Sequence, residues 1–398
     1  MNRSMLALAC VVATACDVEA VAEGEPAACL PRTGAPPADV DRNTHPLARP
    51  LQDALDDAVD SGLPGVVVAV RDQNGIWEGA AGFVDLGRGA PMQSCHRTRI
   101  ASVTKTFVAT TVLLLAEDGR LDLDAPIATL LPQRTAELPH ADTITTRQLL
   151  NHTSGVYNFL DVPLVLDLFS RPDRTWSVEA CYEHALDSEP ELAPGEGWSY
   201  SNTNYLLLGW IIEAATDRPQ QHVVRDRLLS PLGLTETRYI VDDFDFDVVA
   251  HGYFDLMGDG TLVDSTDTYA NLCVGADGGM VSSARDLLTF IDRLLGTRDV
   301  LGEDSLAAMM PTVETGEDDF PLYGAGIEAW GPPGRTRGLG HGGHEFGYRT
   351  FAYHFPEADV SLVVWFNASS LLPTDDNIAR QINAARDRIR DIALGAHE

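Results

Sequence analysis

Apolar residues along the chain set out a helix, a hairpin, a helical middle and a second run of strands. Leu51, Leu55 and Val59 recur every four residues and stop at Gly62 and Pro64, which predicts a short amphipathic helix. Val66 to Val70 and Ile76 to Ala81 flank Asn74-Gly75, a dipeptide suited to the positive φ angles of a hairpin turn. A longer apolar pattern from Val103 to Glu117 closes at Asp118-Gly119. Thr145 and Gln148 have the spacing of a capping box for the helix carrying Leu149 and Leu150. Asn204 to Ala215 reads as another apolar helix, and Ser283 precedes one from Ala284 to Leu295 that Gly296 stops.

Beyond Pro321 the rhythm changes to short strands at Tyr323 to Glu328, Arg337 to His341, Tyr348 to Phe355 and Val360 to Phe366. Ile378, Ile382, Ala385, Ile389 and Ile392 then mark one face of a last helix. Strands at both ends around a helical middle predict an α+β fold: one antiparallel sheet built from both termini with packed helices, plus a mostly helical subdomain. The expected organisation is a single catalytic domain over residues 50–398, with its sheet part at 50–100 and 320–398 and its helical part at 101–319.

Composition narrows the partners. The 59 acidic against 28 basic residues give a formal charge of −31, which repels nucleic-acid phosphates and anionic headgroups. At the N-terminus, Arg3 precedes an apolar stretch from Met5 to Ala15 and then Cys16, an arrangement similar to a bacterial lipoprotein signal. Residues 1–15 are read as a cleaved leader, Cys16 as a lipidated membrane tether, and 16–49 as a flexible Ala/Pro/Glu-rich spacer; an ordinary secretory signal is the alternative. Either way the protein is expected to be exported to the periplasm or cell surface. Cys29, Cys95, Cys181 and Cys273 then predict two disulfides, with all three pairings open.

Of the 28 basic residues only Lys105 is a lysine, and it lies in Ser102-Val103-Thr104-Lys105 where an extended segment enters a helix. Residues three apart share a helix face, so the amine reaches the hydroxyl; guanidinium could not serve there, because it does not give up its proton. The catalytic candidates are Ser102 as nucleophile, Lys105 as proton acceptor and Tyr200, in Tyr200-Ser201-Asn202, as a proton relay. Asn202 is a candidate for holding a substrate carbonyl. In Gly340-His341-Gly342-Gly343-His344 the glycines mark close backbone approach on a strand, where His341 would present a polar or cationic group and Gly343 would line the substrate path. The N–H of His344 with that of Ser102 could form an oxyanion hole. Blander readings are a capping serine with a solvated lysine, a buried tyrosine beside an N-cap asparagine, and a plain bulged hairpin. A metal site from His341, His344 and Glu345 is disfavoured, since histidines three apart on a strand face opposite ways. No cofactor is expected.

Together the three segments resemble the serine β-lactamase and D-alanyl-D-alanine carboxypeptidase family, which uses Ser-x-x-Lys, Tyr-x-Asn and a Lys/His-x-Gly strand in that chain order. Ile100 to Lys105, Leu149 to Gly155 and Pro194 to Asn204 match that family's habits as well. The resemblance implies an acyl-enzyme at Ser102, with Lys105 and Tyr200 sharing base and acid duties, and His152 and Ser154 shaping a loop beside the site. His341 stands where class C β-lactamases carry lysine, which shifts the expected activity towards a carboxypeptidase, peptidase or esterase. The substrate would be a small molecule or peptide with a reactive carbonyl. A cell-surface penicillin-binding or sensor protein that is acylated but turns over poorly is the alternative.

Overall fold

The computed structural model describes residues 44–395, leaving out 172–173, 175, 241–248, 268–272, 274, 332–336 and 372–376. The expected leader, most of the spacer and Cys29 lie outside the described residues.

The first helix, Ala48–Asp60, buries Leu51, Ala54, Leu55 and Ala58. It starts two residues before the expected spacer boundary. His45, buried just ahead of it, bonds Asp72 at 3.1 Å. Strands follow in chain order: β1 (Gly65–Asp72), β2 (Gly75–Asp85), β3 (Ala90–Pro91), β4 (Arg97–Arg99), β5 (Arg238–Tyr239), β6 (Tyr253–Asp255), β7 (Val263–Asp264) and β8 (Met280–Ser283). The C-terminal part supplies β9 (Val313–Glu314), β10 (Leu322–Tyr323), β11 (Glu328–Trp330), β12 (Gly338–Glu345), β13 (Tyr348–Phe355), β14 (Val360–Phe366) and β15 (Ala368–Ser370). The main sheet runs β3-β2-β1-β14-β13-β12-β11-β10-β9, so β1 from the N-terminal part pairs antiparallel with β14 from the C-terminal part. This is the sheet expected from both termini.

Both faces of the sheet are covered, and that explains why β1 reads as an unbroken apolar run. Val67 and Ala69 pack with the helical part, whereas Val66, Val68 and Val70 pack with the first helix and the last, Asn377–Ala393. The same alternation sends Ala352 one way and Phe351, Tyr353 and Phe355 the other.

Three expectations need correction. The segment 323–328 is not one strand: Tyr323 pairs with Glu328 across a reversal, with the Gly324 N–H donating to Ile327 O at 2.8 Å. Glycine is required there, because a Cβ on Gly324 would lie 2.2 Å from Met309 O and Gly326 has φ +72°. The helical middle also contains strands, in two three-stranded sheets, β4-β8-β5 and β15-β6-β7. Finally, the helix begun at Ala284 ends at Ile291 and its last turn, Asp292–Gly296, widens to π geometry. The Thr145/Gln148 capping box and the Ser283 cap are present as expected. Cys181 is bonded to Cys273, which fixes one pairing left open by the sequence.

The sheet face under the first and last helices is covered mainly by apolar side chains, Ile382 among them. Ile382→Ala should therefore cost about 2–5 kcal/mol in urea unfolding; a loss under 1 kcal/mol would show that the last helix is not part of the cooperative core.

Candidate active site

Ser102 lies in the tight turn Ala101–Val103 that leads into the helix Thr104–Glu117. The turn is entered from β4, and the Ile100 N–H donates to Met280 O at 3.0 Å, so the small sheet β4-β8-β5 holds the nucleophile's backbone. Ala101 has φ +46°, a left-handed conformation costly for a residue with a Cβ, stored beside the nucleophile.

Lys105 is fully buried and its Nζ has three oxygen neighbours: Ser102 Oγ at 3.0 Å, Asn202 Oδ1 at 2.8 Å and the main-chain oxygen of Asp277 at 2.7 Å. Burial drives its pKa down to about 7, against the opposing pull of the Asp277 carboxylate. The Tyr200 hydroxyl donates to Ser102 Oγ at 2.9 Å. Burial raises the phenol well above its ordinary pKa, so Tyr200 is an acid-form hydroxyl throughout the neutral range.

Tyr200 precedes the helix Asn202–Thr216, whose N-cap is Ser201; Asn202 is its first residue, not its cap. The Asn202 amide, expected to hold a substrate carbonyl, lines the cleft and is also tied to the protein. Its Oδ1 accepts from Lys105 and its Nδ2 donates to Asn158 Oδ1 at 3.2 Å, so it orients the amine. Buried His152 packs its ring 4.3 Å from that of Tyr200 and accepts the Ser201 N–H at Nδ1, while the Ser154 hydroxyl donates to Asn204 Oδ1 at 2.7 Å. The loop expected to shape the site thus holds the phenol.

On β12 the close approach is explicit: a Cβ on Gly343 would lie 2.2 Å from Ile100 O, so only glycine lets this strand touch the nucleophile turn. His341 points to the same side, with Nε2 bonded to the Tyr323 hydroxyl at 2.8 Å and Nδ1 to Gly342 O at 2.5 Å. It is buried, and burial, with the nearby Lys105, lowers its pKa to about 3. Of the polar or cationic group expected here, the polar form fits this burial: His341 is a neutral link in a hydrogen-bond chain. The His344 ring points to the opposite face, bonding Ser370 O at 3.0 Å. Its main-chain N–H leaves β12 on the same edge as that of Gly342, which donates to Glu328 Oε1, because donor direction alternates along a strand. β11 pairs only up to Gly340, leaving the edge at His344 without a neighbouring strand.

These groups open onto a cleft of about 990 Å³ that Ser102, Tyr200, Asn202, Asp277, His341 and His344 help to line. Among the described residues no group of three or more His, Cys, Asp or Glu side chains is placed to hold a metal ion. Asp277 and Glu328 were not singled out from the sequence. The glycine pair after Asp277 was the available signal, as a mark of a turn; Gly278 lies in ordinary contact with Ala101.

A nucleophile on a helix-leading turn, a buried amine one turn on, and a glycine strand closing over both define the site of the β-lactamase-fold serine hydrolases. A Beta-lactamase family profile matches residues 48–387, and the chain belongs to that family. It is 26% identical over 312 residues to penicillin-binding protein 4* of Bacillus subtilis, covering 76% of this chain and 68% of that one. It is 28% identical over 346 residues to a D-aminopeptidase of Cereibacter sphaeroides, covering 80% of this chain but only 62% of the relative. The D-amino acid amidase of Ochrobactrum anthropi, solved with L-phenylalanine amide, superposes with a TM-score of 0.78 at 28% identity, over 89% of this chain and 100% of that one.

The Gly343 contact predicts that Gly343→Ala lowers kcat/KM by about 100-fold or more on any hydrolysed ester, with the circular dichroism spectrum kept. Activity within threefold of wild type would show that the contact is not needed.

Proposed function

We propose that this protein hydrolyses amide or ester carbonyls through an acyl-enzyme at Ser102, and that its substrates are amides or short peptides of amino acids, D-configured ones among them. The observation that carries the reading is the 3.0 Å approach of a buried Lys105 amine, held near pKa 7, to Ser102 Oγ. In the neutral form the amine takes the Ser102 proton as Oγ attacks the carbonyl carbon. The main-chain N–H groups of Ser102 and His344 receive the resulting oxyanion. When the intermediate collapses, Tyr200 gives its proton to the departing amine or alkoxide and recovers one from the Lys105 ammonium. Water then enters, loses a proton to Lys105 and attacks the acyl carbon, and Lys105 returns that proton to Ser102 Oγ as it leaves as the alcohol. The D-aminopeptidase and D-amino acid amidase relatives support the substrate class.

A carboxypeptidase is the second reading, and Arg349 and Arg386 in the cleft wall favour it as partners for a substrate carboxylate. The neutral His341 weighs against it, because the strand beside Ser102 then offers no charge. Export is part of the proposal as well: the Cys181–Cys273 disulfide suits an oxidising compartment, and Cys16 would be the tether.

Incubation with a labelled penicillin or an activated ester should give one covalent adduct on Ser102, absent in Ser102→Ala, and turnover of D-phenylalaninamide should exceed that of a D-Ala-D-Ala peptide. Adduct formation without turnover of any amide, ester or peptide would make it a penicillin-binding sensor instead. The kcat/KM profile should rise with pH through an apparent pKa of about 7, because the base works only when Lys105 has lost its proton. A profile flat from pH 5.5 to 8.5 would remove Lys105 from that role. In cells, Cys16→Ala should move the protein from the membrane to the soluble fraction; a wild type already soluble would leave a plain secretory leader.

A further inference from the structure

Two carboxylate oxygens beside the nucleophile lack partners. Asp277 Oδ1 and Glu345 Oε2 are both buried with no hydrogen bond among the described residues, and both residues line the cleft that holds Ser102. Glu345 is half satisfied, since its Oε1 accepts from Arg99 at 2.9 Å. Asp277 has no ion pair among the described residues. Its main-chain oxygen, not its carboxylate, takes the Lys105 amine. Burial raises the Asp277 carboxyl to about 6, with Lys105 and the main-chain N–H groups of Asp277 and Gly278 opposing and Glu345 pushing the same way as burial.

A buried carboxylate without a counter-charge is costly, and the cost grows when the only nearby amine must be neutral to act as a base. The arrangement therefore has room for one cation. That cation sits close to the chemistry, because the Lys105 amine bridges Ser102 Oγ and the Asp277 backbone. An α-ammonium group fits this geometry, being attached to the carbon next to the scissile carbonyl, and it is protonated at neutral pH with a reference pKa of about 7.7–8.0.

We propose that Asp277, with Glu345 beside it, binds the free α-ammonium group of the substrate and thereby restricts hydrolysis to the unblocked amino-terminal residue. Acylating that nitrogen removes the charge and leaves the Asp277 oxygen unpaired in the complex, so N-blocked substrates are rejected. The inference rests on the reading of Ser102 as the nucleophile.

The test is the ratio of kcat/KM for D-phenylalaninamide to that for N-acetyl-D-phenylalaninamide in the wild type, Asp277→Asn and Glu345→Gln. The wild type should prefer the free amine by about tenfold or more. Asp277→Asn should bring the ratio to within about threefold of one, chiefly by raising KM for the free amine, and Glu345→Gln should lower it in the same direction. Any effect of Asp277 on the Lys105 proton alters both substrates alike and cancels in the ratio. A wild type with no preference, or an Asp277→Asn variant that slows both substrates equally, overturns the ammonium site while leaving the Ser102 mechanism standing. Hydrolysis of neither substrate, with no Ser102 adduct, overturns the mechanism and this inference with it.

Discussion

The structure turns on a single amine and on where its lone pair points. An uncharged amine has two N–H bonds and one acceptor site, and Lys105 has three oxygen neighbours. Two of them, the Asn202 amide oxygen and the Asp277 main-chain oxygen, can only accept. They claim both N–H bonds of the neutral form and leave the lone pair directed at the Ser102 hydroxyl. Ser102 Oγ in turn accepts from Tyr200. A hydroxyl that donates to one neighbour and accepts from another has its proton already placed for removal. Asn202 keeps its orientation because its Nδ2 and main-chain N–H both donate to Asn158 Oδ1. Exchange of its oxygen and nitrogen would set donor against donor at Lys105 and acceptor against acceptor at Asn158.

That arrangement depends on long-range assembly. Lys105 comes from the helix after β4, Asn202 from the start of another helix, and Asp277 from the loop before β8. β4 and β8 are paired through Arg97–Ser283, Thr98–Ser282 and Arg99–Val281, which brings the Asp277 loop to the nucleophile turn. β12 then closes the open side by the contact of Gly343 with Ile100. The register β1-β14-β13-β12 ties that strand to the N-terminal hairpin, so the two ends of the chain meet to position one wall of the cleft.

What could be read from the chain was whatever local chemistry encodes. The spacing of Ser102 and Lys105, the Asn74-Gly75 turn, the Thr145/Gln148 box and the short apolar runs of β13 and β14 each require only a few neighbouring residues. The short strands of the middle were missed because two or three residues carry no period; β5 is Arg238–Tyr239 and β6 is Tyr253–Asp255, neither distinguishable from loop by pattern. The break at Gly324 was hidden by apolar residues on both sides of it. Protonation was the least legible of all. The sequence left His341 either polar or cationic, because the reference pKa belongs to solvated imidazole and nothing local shows that the residue is buried against Tyr323.

The neutrality of His341 bears on how charge is divided across the cleft. With His341 and Lys105 both uncharged at the moment of attack, the surroundings of Ser102 hold no free cation among the described residues, while Asp277 and Glu345 hold carboxylates. The guanidinium groups of Arg349 and Arg386 lie on the other face of β12, with Trp330, Phe351 and Tyr353. Gly342, which has no side chain to fill the gap, separates the two regions. Beyond the glycine strand the wall carries both signs, with Glu317, Asp318, Asp319 and Glu328 beside the two arginines, whereas beside Ser102 the free charges are carboxylates. On the proposed reading, an ammonium next to the scissile carbonyl meets the carboxylates of Asp277 and Glu345, and a carboxylate in the same place is repelled by them.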